Sequence, residues 1–164
     1  MRAIVVAAML IAAPSAAQET VGSWTLLSST SKLDGATQFE AQNLSKEPVL
    51  SVLDQRARAT LVLGCDSGKA SVGVTWPDFI NLGYDDHSSR VRYKLDSGPI
   101  ETAYWFAGVD YVLQRDRAAA LKLIARLRAA KTLVVSIDDK HGGQEVEFDL
   151  SGIEQATQRA ADCH

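Results

Sequence analysis

Asp85-Asp86-His87 is the densest polar cluster in the chain. Two carboxylates and an imidazole are the groups that hold a divalent metal or relay a proton. Adjacent residues in a loop seldom converge on one centre, however. Tyr84 and Ser88-Ser89 give the segment a turn composition, so a solvated turn is the expectation. Asp138-Asp139-Lys140-His141-Gly142-Gly143 reads the same way. Its Gly-Gly pair supplies the backbone freedom of a hairpin, and charges at a hairpin tip are satisfied by water. His164 could chelate through its ring and the terminal carboxylate, but a chain end is ordinarily solvated. The chain has three histidines, none at a ligand spacing such as i, i+4. It has no GxSxG, no HExxH and no phosphate-binding glycine loop. No cofactor, metal ligand or catalytic residue is therefore assigned. A Ser/His/Asp site assembled from distant positions would leave no trace in sequence order.

The thiols are the next reactive groups, and there are two, Cys65 and Cys163. Their chemistry depends on compartment. Met1-Arg2, an apolar run from Ala3 to Ala13, and small residues at Ser15 and Ala17 have the parts of a secretory signal, with cleavage expected after Ala17. The run is too short for a membrane anchor, which needs about 20 apolar residues, and no later segment looks able to span. The expected location is the periplasm, with secretion as the alternative. In an oxidising compartment two thiols pair, so a structural disulfide between Cys65 and Cys163 is predicted, stapling the C-terminal segment to mid-chain.

Binding chemistry has two candidates. Trp105 falls out of phase with Ile100, Tyr104 and Phe106, so it either packs in a second layer or is exposed, as a partner contact would be. Arg115, Lys122 and Arg126, with Arg117 and Arg128, give one helix a basic face. That face could meet an acidic partner or be the wet side of the helix. The whole chain has 17 basic and 20 acidic residues, a balance that argues against nucleic acid as a general partner.

The elements that must position these residues are mostly strands. Ala70, Val72, Val74 and Trp76 alternate with polar or small residues, as do Val91, Tyr93 and Leu95, and Phe39 and Ala41. Trp24 to Ser29 and Ala59 to Gly64 are further strands. Asp96-Ser97-Gly98-Pro99 predicts a four-residue turn, with Leu95 opposite Ile100 and Lys94 opposite Glu101. Asp116 caps a predicted helix whose apolar side is Ala120, Leu121, Ile124 and Leu127. Leu133 to Ile137 and Val146 to Leu150 form a hairpin. Ser151 and Glu154 match a capping box for a last helix with Ile153, Ala156 and Ala160 on its apolar side. The expected fold is α+β in residues 18–164: an antiparallel sheet of seven to eight strands, open to a sandwich arrangement, with a mid-chain and a C-terminal helix.

Taken in order, Trp24, Ser31-Lys32-Leu33-Asp34, Leu63-Gly64-Cys65, Val74-Thr75-Trp76, Val91-Arg92-Tyr93-Lys94-Leu95-Asp96, Trp105, Leu133-Val134-Val135, Phe148-Asp149-Leu150-Ser151-Gly152 and Cys163 resemble the landmarks of the VasI family, also called TagO, of type VI secretion-associated proteins. Lys94 departs from the arginine expected after the tyrosine, and residues 35–54 carry no landmark. The resemblance implies an exported accessory protein of a Gram-negative envelope and carries over no catalytic residue. The expected function is protein–protein binding in the envelope, the partner being an envelope protein such as a secretion-system component. A cell-wall hydrolase or modifying enzyme is the alternative, and a small inhibitor or ligand-binding module is a third.

Overall fold

The computed structural model describes residues 17–66, 68–82 and 87–161. Its framework is one ten-stranded antiparallel sheet with the order β1-β2-β3-β4-β5-β8-β7-β6-β9-β10. The strands are β1 (Ala17–Val21), β2 (Trp24–Thr30), β3 (Thr37–Leu50), β4 (Arg56–Asp66), β5 (Lys69–Thr75), β6 (Ser88–Leu95), β7 (Glu101–Ala107), β8 (Tyr111–Gln114), β9 (Thr132–Ile137) and β10 (Gln144–Asp149). Helices α1 (Arg117–Arg128) and α2 (Ile153–Ala161) complete the chain. The α+β character agrees with the sequence reading, but the sheet is larger than the seven to eight strands expected. The additions are β1, at the expected cleavage point, and β8, four residues long and close before a helix cap.

Period-2 alternation explains the core. Leu61 and Leu63 on β4, Val72 and Val74 on β5, and Trp24 and Leu26 on β2 turn one face inward, and all are buried. Residues from β2 to β10 and from both helices contribute to one continuous apolar cluster. The helices lie against β3, β4 and β5 and touch each other.

The sheet curls until its last strand meets its third. β3 carries a register break between Leu44 and Pro48. Pro48 has no N–H to give the ladder. Ser45, fully buried, patches the gap: its hydroxyl accepts from Ala59 N at 3.1 Å and donates to Glu47 O at 2.7 Å. On both sides of the break, β3 faces the free edge of β10. Side chains make the join there. Asn43 Nδ2 donates to Asp149 O at 2.5 Å, Lys46 pairs with Glu147 at 2.6 Å, and the Gln144 amide accepts from Leu50 N at 2.7 Å and donates to Leu50 O at 3.1 Å. Gln144 thus offers Leu50 the two groups a neighbouring backbone would.

A second join ties the first hairpin to α2. Gly22 and Gly152 both have positive φ, +57° and +86°. A Cβ on Gly22 would stand 2.3 Å from Ser151 O, and one on Gly152 would stand 2.5 Å from Val21 O. Only glycine permits this approach.

Four local expectations are corrected. The β6–β7 hairpin pairs Tyr93 with Glu101 and Arg92 with Thr102, one residue out of the predicted register. Asp96 adopts φ +48°, and its carboxylate accepts from Lys131 N and Thr132 N, both at 2.9 Å. That tertiary anchor stretches the loop, leaves Ile100 outside the ladder and separates Lys94 from Glu101. In α1, Asp116 caps as expected, accepting from Ala119 N at 2.7 Å, but Leu123 takes the buried place assigned to Leu121, which is exposed. The Ser151–Glu154 capping box gives way to a different use of the serine: Ser151 Oγ meets Ser23 Oγ at 3.0 Å, while Asp149 Oδ1 accepts from Ser151 N. The last correction concerns the hairpin tip at 138–143, which is described with the site.

Cys65 lies at the end of β4 and is disulfide-bonded. Cys163, its expected partner, lies outside the described residues, as do the signal segment up to residue 16, Asp85, Asp86 and His164. The side chain of Ala160 is likewise outside them.

Candidate functional site

Three loops and one edge segment meet at one end of the sheet. The β3–β4 turn is closed by Ser51 N to Gln55 O at 2.7 Å and Asp54 N to Ser51 O at 2.9 Å. Asp54 sits there at φ +56°, a left-handed conformation that aspartate tolerates better than most residues. After β5, the chain from Trp76 to Asn81 is held on three sides. Val52 N donates to Pro77 O, Ile80 N to Val109 O, and Lys140 N to Phe79 O, at 3.0 to 3.1 Å. Ile80 forms an isolated bridge with Asp139. Alternation along this short extended piece sends Asp78 and Ile80 inward and Phe79 outward.

Asp139 is the hub. The expectation for this turn was a solvated tip; Asp139 is instead only 1% exposed. Its Oδ1 accepts from His141 N at 2.9 Å and Gly143 N at 3.2 Å, and its Oδ2 accepts from Trp76 Nε1 and Gln144 Nε2, both at 2.9 Å. Gly142 and Gly143, at φ +93° and +91°, let the turn wrap around the carboxylate. Burial pushes the Asp139 carboxyl up, but the donors from Gln144, Trp76, Gly143 and His141 outweigh it and hold the group below the ordinary carboxyl value.

His141 lies between two more carboxylates. Its Nδ1 is 2.6 Å from Asp78 Oδ2 and its Nε2 is 3.2 Å from Asp54 Oδ1. The Asp78 hydrogen bond, with help from Asp54, raises the imidazole above its usual value, against burial and the Lys140 charge. Asp78 is 1% exposed, and its second oxygen, Oδ1, has no hydrogen-bond donor. Lys140 Nζ stands 3.8 Å from that oxygen but gives its hydrogen bond to Val52 O at 2.8 Å. Leu53, Phe79, Leu82 and Val109 belong to the segments whose backbones meet here and are all exposed, Leu53 by 72% and Val109 by 64%.

The predicted binding residues lie elsewhere and read differently. Trp105 is 4% exposed and packs against Tyr93 with ring centroids 6.2 Å apart, so it is core and not a partner contact. It lines a cavity together with Ala119, Leu123 and Arg126 of α1. The basic face of α1 is largely engaged within the molecule. Arg126 makes a two-pronged ion pair with Glu101, which also receives the Tyr93 hydroxyl at 3.2 Å. Glu101 is held below its usual value by that guanidinium, while burial and the neighbouring Glu101 charge raise Tyr93 against the opposing pull of Arg126. Arg115 lies 3.1 Å over the Phe106 ring, and Arg128 reaches Glu154 at 3.5 Å. Lys122 is exposed on the rim of a cavity of about 190 Å³ that Tyr93, Trp105 and Arg126 also line. His87 accepts from Ala107 N through its carbonyl at 2.9 Å.

Sequence reading set aside Asp139 and His141, and did not single out Asp54 or Asp78. The available signal was the i, i+2 Asp–His pair ahead of Gly-Gly-Gln, in which one side chain can turn back on the N–H groups of its own loop.

Comparison with family models, with curated proteins and with solved structures finds no match to this chain. Among the described residues no helix is long and apolar enough to cross a membrane.

Proposed function

We propose that the protein is an exported accessory protein of the bacterial envelope, of the kind the VasI resemblance implies, and that it acts by binding another envelope protein through the loop end of its sheet. The exposed apolar set Leu53, Phe79, Leu82 and Val109 carries this reading. Large exposed apolar side chains on hydrogen-bonded loops are what a partner's surface can desolvate. The family landmarks support the scaffold side of the proposal. Trp24, Leu63, Val74, Trp76, Val91, Trp105, Leu133, Val135, Phe148 and Leu150 are all buried, so they specify a fold that presents these loops.

The hydrolase alternative draws less support from His141. Both of its ring nitrogens face carboxylates, Asp78 and Asp54, where a base for a hydroxyl or thiol nucleophile would need one nitrogen turned to that group.

The test is site-directed photo-crosslinking in intact envelopes with the probe at Phe79 or Leu53. One discrete protein adduct is expected at both positions, lost on Val109→Asp and absent with the probe moved to Arg115. Cell-wall turnover by the purified protein, with no adduct at the loop end, would overturn the reading.

A further inference from the structure

We propose that Asp78, His141 and Asp139 form a binding site for one divalent transition metal of the zinc type at the base of the loop end. The inference concerns the polar centre and stands apart from the identity of any partner at the rim.

Geometry comes first. One ligand atom from each of the three residues lies within 4.8 Å of the other two, and two of the three residues are buried. A second observation points to a missing cation. Asp78 is 1% exposed, yet Oδ1 has no donor. A buried carboxylate oxygen normally has its lone pairs filled, because burying one open is costly. Lys140 offers charge at 3.8 Å without filling the lone pair.

The imidazole is arranged as a ligand would be. Nδ1 faces Asp78, and Nε2 faces Asp54 at 3.2 Å. A carboxylate on the far nitrogen fixes tautomer and ring orientation, the usual outer partner of a metal-bound histidine. Asp54 fills that role and is a positioning residue. Asp139 already accepts four N–H groups, so it contributes mainly charge, and binding depends most on Asp78 and His141. One nitrogen and two carboxylates suit zinc, and they are too few oxygens for calcium.

The test uses the mature full-length chain, stripped with a chelator and titrated with Zn²⁺, Mn²⁺, Mg²⁺ and Ca²⁺ by calorimetry and thermal melting. Zn²⁺ is expected to bind at one equivalent and raise Tm, with Mg²⁺ and Ca²⁺ giving no shift at the same concentration. Asp78→Asn and His141→Gln should each weaken Zn²⁺ by at least about tenfold, and Asp54→Asn by a smaller factor of the same kind. Lys140→Gln should tighten it by removing the competing cation. Zinc affinity unchanged in both His141→Gln and Lys140→Gln would overturn the proposal, as would no binding by the wild type at millimolar metal. These two variants alter partly exposed side chains, so they keep the test decisive if Asp78→Asn fails to fold.

Discussion

Two clusters in this molecule use similar chemistry to different ends. At the loop end, His141 sits between Asp78 and Asp54; on the helix side, Arg126 sits between Glu101 and Tyr93. Each joins segments distant in sequence and centres on a nitrogen-bearing basic side chain. The helix-side pair is complete: the guanidinium fork meets the carboxylate with both prongs, and each side chain stays more than a third exposed. The loop-end cluster buries Asp78 and Asp139 and leaves one carboxylate oxygen without a donor. A satisfied, wet pair holds α1 to β7 and needs nothing further. A buried carboxylate with one oxygen left open is where a ligand gains most.

The sharpest way to break this contrast is Asp139→Ala. The change strands Trp76 Nε1, Gln144 Nε2 and the N–H groups of His141 and Gly143 together. Losing one member of a buried network costs about 3–5 kcal/mol, and that loss is expected here in denaturant unfolding. It should also loosen the β3–β10 seam, because Gln144 spans Asp139 and Leu50. Faster amide exchange at Leu50 would report this. A loss below 1 kcal/mol would show that the hub is wetter than its burial says.

Asp78→Asn comes next. It keeps shape and one acceptor but removes the charge facing His141, for an expected cost of about 1–3 kcal/mol in metal-free protein. The matching helix-side change, Glu101→Gln, should cost less than about 1 kcal/mol, because water screens the Arg126 pair. Its effect should shrink further in high salt, whereas that of Asp78→Asn should hardly respond. Equal salt dependence in the two variants would erase the distinction between the clusters.

The two regions also differ in how far sequence could reveal them. Strand alternation located β3, β5 and β6, and Asp116 announced α1, because these signals are local. Trp76 was legible as core for the same reason. The hairpin register was not, since the anchor that stretches the 96–100 loop comes from Lys131 and Thr132, far along the chain. The loop-end site was hidden by the same physics in stronger form. Asp54, Asp78 and His141 lie on separate loops, and nothing local distinguishes a hairpin-tip aspartate that meets water from one that meets Trp76 Nε1. The basic stripe of α1 was visible, but its neutralisation by Glu101 and Glu154 was not, because those acids sit on other elements.

The smallest effect expected is a difference in the pH at which each cluster stops contributing to stability. His141 titrates higher folded than unfolded, so its contribution is complete below the unfolded value of about 6.5 and is lost as pH rises through the raised folded value. The groups that set it are Asp78 and Asp54 on one side and Lys140 on the other. Glu101 titrates lower folded than unfolded. Its contribution is complete above the unfolded value of about 4.3 and is lost as pH falls through the lowered folded value. Asp139 is also lowered and weakens the loop end in acid, while Tyr93 is raised from a value near 10, so its window lies well above that of His141. The alkaline limb that opens at the unfolded value of about 6.5 and lies below the tyrosine range therefore belongs to His141 among the groups compared. Melting curves in chelator should show Tm falling across that interval in the wild type. The slope should flatten in His141→Gln and persist in Glu101→Gln. A slope that survives His141→Gln would mean that the imidazole is not held by Asp78 as the 2.6 Å contact indicates.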